Sequence, residues 1–138
     1  MPTIQEALQY FLTDSAAIKR LIEGRAYPAQ APTSAVRPYI VFFRTDQEHV
    51  THQGGTSSLA SARIQIEAWA DTEIGADALY RTVRDALNGF RGSLGDPGDP
   101  LTVRGAFLDD DRSEALQPSD ASQTGRHSVP MEFLIWYV

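Results

Sequence analysis

Residues 61–70, Ser-Ala-Arg-Ile-Gln-Ile-Glu-Ala-Trp-Ala, alternate without a break. Ala62, Ile64, Ile66, Ala68 and Ala70 fall on one side, and Ser61, Arg63, Gln65, Glu67 and Trp69 on the other. A period of two is the pleat of a strand, whereas a helix would scatter the same side chains around its axis. The segment is therefore read as β, with one face on a core and the other toward solvent or a partner. The rest of the chain has to supply a layer that covers the apolar face.

Helical patterns are available for that layer. Thr3 can cap a short helix carrying Ile4, Leu8, Phe11 and Leu12 on one side. Asp14 or Ser15 can start a second, with Ala17, Ile18, Leu21 and Ile22 apolar and Gly24 placed for a left-handed end. Thr72 precedes the longest pattern, Glu73 to Phe90, in which Ile74, Ala78, Leu79, Val83, Ala86, Leu87 and Phe90 form a stripe ended by Gly89 or Gly92.

Further strands are expected at Arg25–Pro28 (a short edge), Tyr39–Phe43, Leu101–Leu108 and Val129–Val138. Residues 29–38 read as an extended loop, 45–58 as a hairpin or long loop, 92–100 as turns and 112–126 as loop. No repeat or linker divides the chain, so 1–138 is read as one domain. The fold class expected is α+β: a mostly antiparallel sheet of about four to five strands with two or three helices packed on one face.

Composition narrows the function. The net charge is −6, Lys19 is the only lysine, and the arginines are spread from Arg20 to Arg126. Binding to phosphate backbones relies on clustered cations, so that class is disfavoured. With no cysteine there is no disulfide, thiolate metal site or thiol nucleophile. Neither a leader pattern nor an apolar run near the ~20 residues of a membrane span is visible, so a soluble protein made in a reducing cytoplasm is expected.

Candidate chemistry is sparse. His49 and His52 have only Asp46 and Glu48 nearby, short of an oriented set of three or four zinc ligands. Asp109, Asp110 and Asp111, with Glu114, lack the alternation and central glycine of a calcium loop and read as a solvated strand end. Asp96 and Asp99 adjoin prolines as turn residues. Gly54-Gly55 fits no phosphate fingerprint, and no serine stands in a nucleophile elbow. Glu67 and Glu132 have the spacing to pair across the sheet, but an ordinary Arg63–Glu67 pairing accounts for them as well. No catalytic, metal-binding or cofactor residue is assigned. Trp69 on the polar side of its strand, and Trp136 in a terminal strand apolar on both faces, point to a subunit interface. The alternative is that both tryptophans complete the core against the helices.

The order of the motifs carries a resemblance. Gly24-Arg25-Ala26-Tyr27-Pro28 is followed by Pro38-Tyr39-Ile40-Val41-Phe42, then by the alternating segment 62–70. A helix with Ala78-Leu79 and Val83-Arg84-Asp85-Ala86-Leu87 comes next, and Phe133-Leu134-Ile135-Trp136-Tyr137 closes the chain. Over nearly its whole length the chain resembles the tail completion, or tail terminator, proteins of long-tailed phages, prophages and gene transfer agents. The resemblance implies a non-enzymatic virion protein, made in the host cytoplasm and placed at the head-proximal end of the tail. It implies a hexameric ring that caps the tail tube and joins it to a head connector or stopper protein. DNA would pass through the lumen without specific binding, and no membrane or cofactor is involved. The segments 45–60 and 109–126 would meet partners. The candidate interface residues are His49, His52, Gly54, Gly55, Trp69, Asp109, Asp110, Asp111, Arg112 and Trp136. The other readings are a head–tail connector or adaptor component, and a small metal-dependent hydrolase using Asp109, Asp111 and His49.

Overall fold

Helix α1 (Ile4–Asp14) begins at a reciprocal cap. The Thr3 hydroxyl accepts the Glu6 N–H at 3.1 Å, and the Glu6 carboxylate accepts the Thr3 N–H at 3.3 Å. Ile4, Ala7, Leu8 and Leu12 are its buried residues. Helix α2 (Ala16–Ile22) buries Ile18 and Ile22 and ends through Glu23 and Gly24, with φ of 53° and 85°. The computed structural model describes residues 3–32, 34–52, 55–111 and 127–138.

Six strands make one sheet: β1 (Ala26–Pro28), β2 (Tyr39–His52), β3 (Gly55–Ala70), β4 (Gly92–Leu94), β5 (Leu101–Asp111) and β6 (His127–Tyr137). Their order is β1-β2-β3-β6-β5-β4, and all neighbours are antiparallel except β1 and β2. The α+β class stands, with six strands rather than four or five. Residues 45–52 and 55–58 continue β2 and β3 where a loop was an equal expectation. The Asp109–Asp111 triplet likewise lies inside β5 rather than in a turn beyond it.

Helix α3 (Glu73–Leu87) starts at Thr72, whose hydroxyl accepts the Gly75 N–H at 3.0 Å. It stops three residues before the expected Phe90, because Asn88 turns extended and Gly89 takes φ 82°. Ile74, expected in its apolar stripe, is 83% exposed, and the buried set is Ala76, Leu79, Tyr80, Val83 and Leu87. These residues join the α1 and α2 stripes against Ile40 and Phe42 of β2, the even residues Ala60–Ala70 of β3, and the odd residues Val129–Tyr137 of β6. All three helices thus lie on one face of the sheet.

Two local features set the sheet's boundaries. Pro130, whose ring removes one donor, falls at an even position of β6, where backbone groups point toward β5 rather than β3. Among the described residues the β5 pairing reaches only Asp111↔Met131. On the outer side of β5, the Ala106 carbonyl accepts the Gly89 N–H at 2.6 Å, and the Asn88 side-chain oxygen accepts the Leu108 N–H at 2.9 Å. The end of α3 therefore occupies the edge that β4 leaves free. On the opposite side β1 pairs only with Ile40–Phe42, and β2 beyond it carries register shifts at Arg44/Asp46 and His49/Thr51.

Candidate assembly interface

The second face of the sheet has no helix over it among the described residues, and both tryptophans stand on it. Trp69, opposite Tyr39 in the register, stacks on that ring at 6.1 Å and 18° between planes. Tyr27 meets Tyr39 edge-on at 5.8 Å, so three rings from three strands run in a row. The Glu67 carboxylate accepts the Trp69 indole N–H at 3.0 Å and the Gln65 amide at 3.2 Å, fixing the indole from one side. Neither tryptophan completes the helix-side core, because odd positions of β3 and even positions of β6 point away from it.

The middle of this face is polar. Arg63 pairs with Glu132 across β3 and β6 at 3.3 Å, while Glu67 is taken up by Trp69 and Gln65. This replaces both expected pairings, Glu67 with Glu132 and Arg63 with Glu67: Glu67 sits opposite Pro130, and Arg63 reaches the nearer carboxylate. Beyond the ion pair the surface turns apolar again with Leu134, Trp136 and Phe107, the last opposite Leu134 and 52% exposed. The Phe107 ring lies over Gly105, where an added Cβ would come within 2.7 Å of it. A shallow depression between the polar and apolar parts is lined by Asp46, Gln47, Ser61, Arg63, Leu134 and Trp136.

The other sequence candidates fall at the two ends of the sheet. At one end β2 and β3 run on as a two-stranded ribbon after β6 stops opposite Ala60, with His49 opposite Ala60 and His52 opposite Gly55. At the other end Asp110 and Asp111 of β5 lie opposite Glu132 and Met131, with Asp109 at the register shift beside them. Ala60 is opposite Tyr137, and Tyr137 is six positions along β6 from Met131. Six positions of strand span roughly 20 Å. His49 and the Asp109–Asp111 triplet therefore stand at opposite ends of the sheet. Gly54, Arg112 and Glu114 lie outside the described residues. Among the described residues, no three His, Asp or Glu side chains gather where they could hold a metal.

Sequence reasoning passed over Leu134, Phe107 and Gln47. Leu134 was in phase with Trp136, and that phase was the available signal. Gln47 donates through its amide to the Tyr137 hydroxyl at 2.7 Å, tying the base of the ribbon to the end of β6. No local pattern announces a contact ninety residues long in sequence. Burial raises the Tyr137 pKa above the ordinary tyrosine value, against the opposing pull of Arg44 and the Gln47 hydrogen bond.

A family model described as tail completion protein gp17 matches residues 6–126. No curated protein matches the chain. Among solved structures, a chain from the virion of a native gene transfer agent particle matches with a TM-score of 0.66 and 16% identity, covering 96% of this chain and 92% of that one. At that identity the likeness is one of fold.

Proposed function

The chain belongs to the tail completion protein gp17 family and is a component of the virion tail; on that premise we propose that it closes the head-proximal end of the tail tube as a ring and joins it to the head connector. The observation that supports this reading is the separation of the two partner-facing segments. The ribbon of β2 and β3 leaves one end of the sheet, and β5 and β6 lead into residues 112–126 at the other. A subunit built this way can touch two successive components of a tail, one at each end.

In this reading the subunit acts without catalysis, and the ring is a hexamer. The net charge of −6 suits a lumen that lets DNA through without holding it. A connector or adaptor component would use the same two-ended subunit, so the choice of partner decides between the readings.

The test mixes purified chain with polymerising tail-tube protein and, separately, with the connector protein. Capping predicts tubes of restricted length bearing a ring at one end in electron micrographs, and a chain–tube complex by light scattering. Unaltered tube lengths with no complex would overturn it. Binding to the connector alone would favour the adaptor reading.

A further inference from the structure

We infer that Asn88 is a deamidation site, held unreactive while the end of α3 is docked on β5 and released when it lifts. The inference is independent of the ring reading. Asn88 is the only asparagine in the chain, and glycine follows it. Asparagine amides are chemically labile, and a following glycine, having no Cβ, leaves the attacking backbone nitrogen unshielded. Both residues are exposed, and a Cβ built at Gly89 meets nothing within 4 Å. Neither burial nor crowding therefore protects the pair.

In the reaction the Gly89 amide nitrogen gives up its proton and bonds to Asn88 Cγ. The Cγ–Nδ2 bond breaks, and Nδ2 leaves as ammonia, carrying a proton equivalent to the one lost. Water then opens the resulting succinimide. Cleavage at the Cγ carbonyl gives aspartate, and cleavage at the Asn88 backbone carbonyl gives isoaspartate. The fold opposes the first step at both reacting groups. The Gly89 N–H donates to the Ala106 carbonyl at 2.6 Å, which keeps its proton engaged and its nitrogen turned toward β5. The Asn88 side-chain oxygen accepts the Leu108 N–H at 2.9 Å, which holds the amide carbon in place. On the other side the Asn88 N–H donates to the Arg84 carbonyl at 2.8 Å, so the last turn of α3 fixes the backbone as well. Ring closure requires residues 88 and 89 to leave the strand. Two hydrogen bonds that must open together make the reactive form roughly ten- to a hundredfold scarcer than in a free chain. The two products differ in what they can restore. Aspartate keeps an oxygen for the Leu108 N–H, whereas isoaspartate lengthens the backbone before Gly89 and carries its N–H away from Ala106.

With a single asparagine the test needs no mutation. The native chain, the chain unfolded in guanidinium chloride and the synthetic peptide Asp85–Arg91, which is also the tryptic fragment, are aged side by side at mildly alkaline pH. Chromatography and mass spectrometry of that fragment separate the asparaginyl, aspartyl and isoaspartyl forms. Peptide and unfolded chain should convert at similar rates, and the native chain roughly tenfold or more slowly, with exchange of the Gly89 amide for deuterium slowed alongside. Equal rates in native chain and peptide, or a Gly89 amide that exchanges as freely as in the peptide, would overturn the gating. No conversion in the peptide would overturn the site itself. A second measurement addresses the products. The refolded isoaspartyl form should melt below wild type, and the Asn88→Asp variant should melt close to it. An isoaspartyl form as stable as wild type would refute the link to β5.

Discussion

Gly95 offers a sharp test of how the first helix is held. Its φ is +100°, and a Cβ placed there would stand 3.1 Å from both Cα and Cβ of Ala7 in α1. Gly95→Ala therefore meets two separate penalties. A left-handed backbone costs an L-residue about 1–2 kcal/mol. Pressing a methyl group against a packed helix costs about 1–3 kcal/mol more, because a helix backbone yields less readily than a side chain. The expected loss is about 2–5 kcal/mol, a large part of the ~5–15 kcal/mol that holds a domain of this kind together. Urea unfolding followed by circular dichroism measures it, with an unchanged slope showing that the folded state itself is kept. Gly98→Ala is the control: Gly98 is exposed, its φ is not in the left-handed range, and its nearest neighbour is an Asp96 side-chain oxygen at 3.4 Å. It should fall within about 0.5 kcal/mol of wild type. If Gly95→Ala is equally neutral, the close approach of this turn to Ala7 does not hold α1.

Thr72→Ala removes the hydroxyl that accepts the Gly75 N–H and should lower stability by about 1 kcal/mol, read as a fall in melting temperature; an unchanged melting temperature would mean the cap contributes nothing. The Tyr137 hydroxyl holds its proton more tightly in the folded chain than in the unfolded one. Its contribution is complete below the ordinary tyrosine pKa of about 10 and is lost as pH rises from there toward the folded value. Urea unfolding at about pH 9 and about pH 11 should show a smaller alkaline loss in Tyr137→Phe than in wild type; equal losses would refute the assignment.

What the sequence made legible was whatever the helix-side core stamps on it. The alternation of 61–70 and the Thr3 cap translate directly, because each residue there has one environment and reports it. The ribbon was ambiguous for the same reason in reverse. Among the described residues β3 has no pairing with β6 beyond Ala60, so the end of the ribbon lacks the second neighbouring strand that marks the rest of β3. β4 is three residues long and lies among turn formers, too short to show a pattern. The parallel pairing of β1 with β2 depends on where residues 29–38 carry the chain, and composition does not encode that path. Ile74 and Ala78 enter the expected stripe because they are apolar, yet both are exposed. The buried residues Ala76, Leu79, Tyr80, Val83 and Leu87 define one side of α3, and at about 100° per residue Ile74 and Ala78 fall on the opposite side. Of the candidate interface, Trp69 and Trp136 were readable by phase, whereas their common face with Phe107 emerged only from the strand order β3-β6-β5.

β3 runs unbroken from Gly55 to Ala70, and β2 and β6 flank it with ladders that overlap along its length. A pull applied between the ribbon tip and the far end of the sheet is directed along these strands. Between Ala60 and Ala70 the hydrogen bonds of the two ladders then share the load side by side, rather than opening one after another as they would if the strands were peeled apart. Strands loaded in this way make a subunit expected to be stiffer along its length than across it. Under the function proposed above, that direction is the one a joint between tube and connector would load.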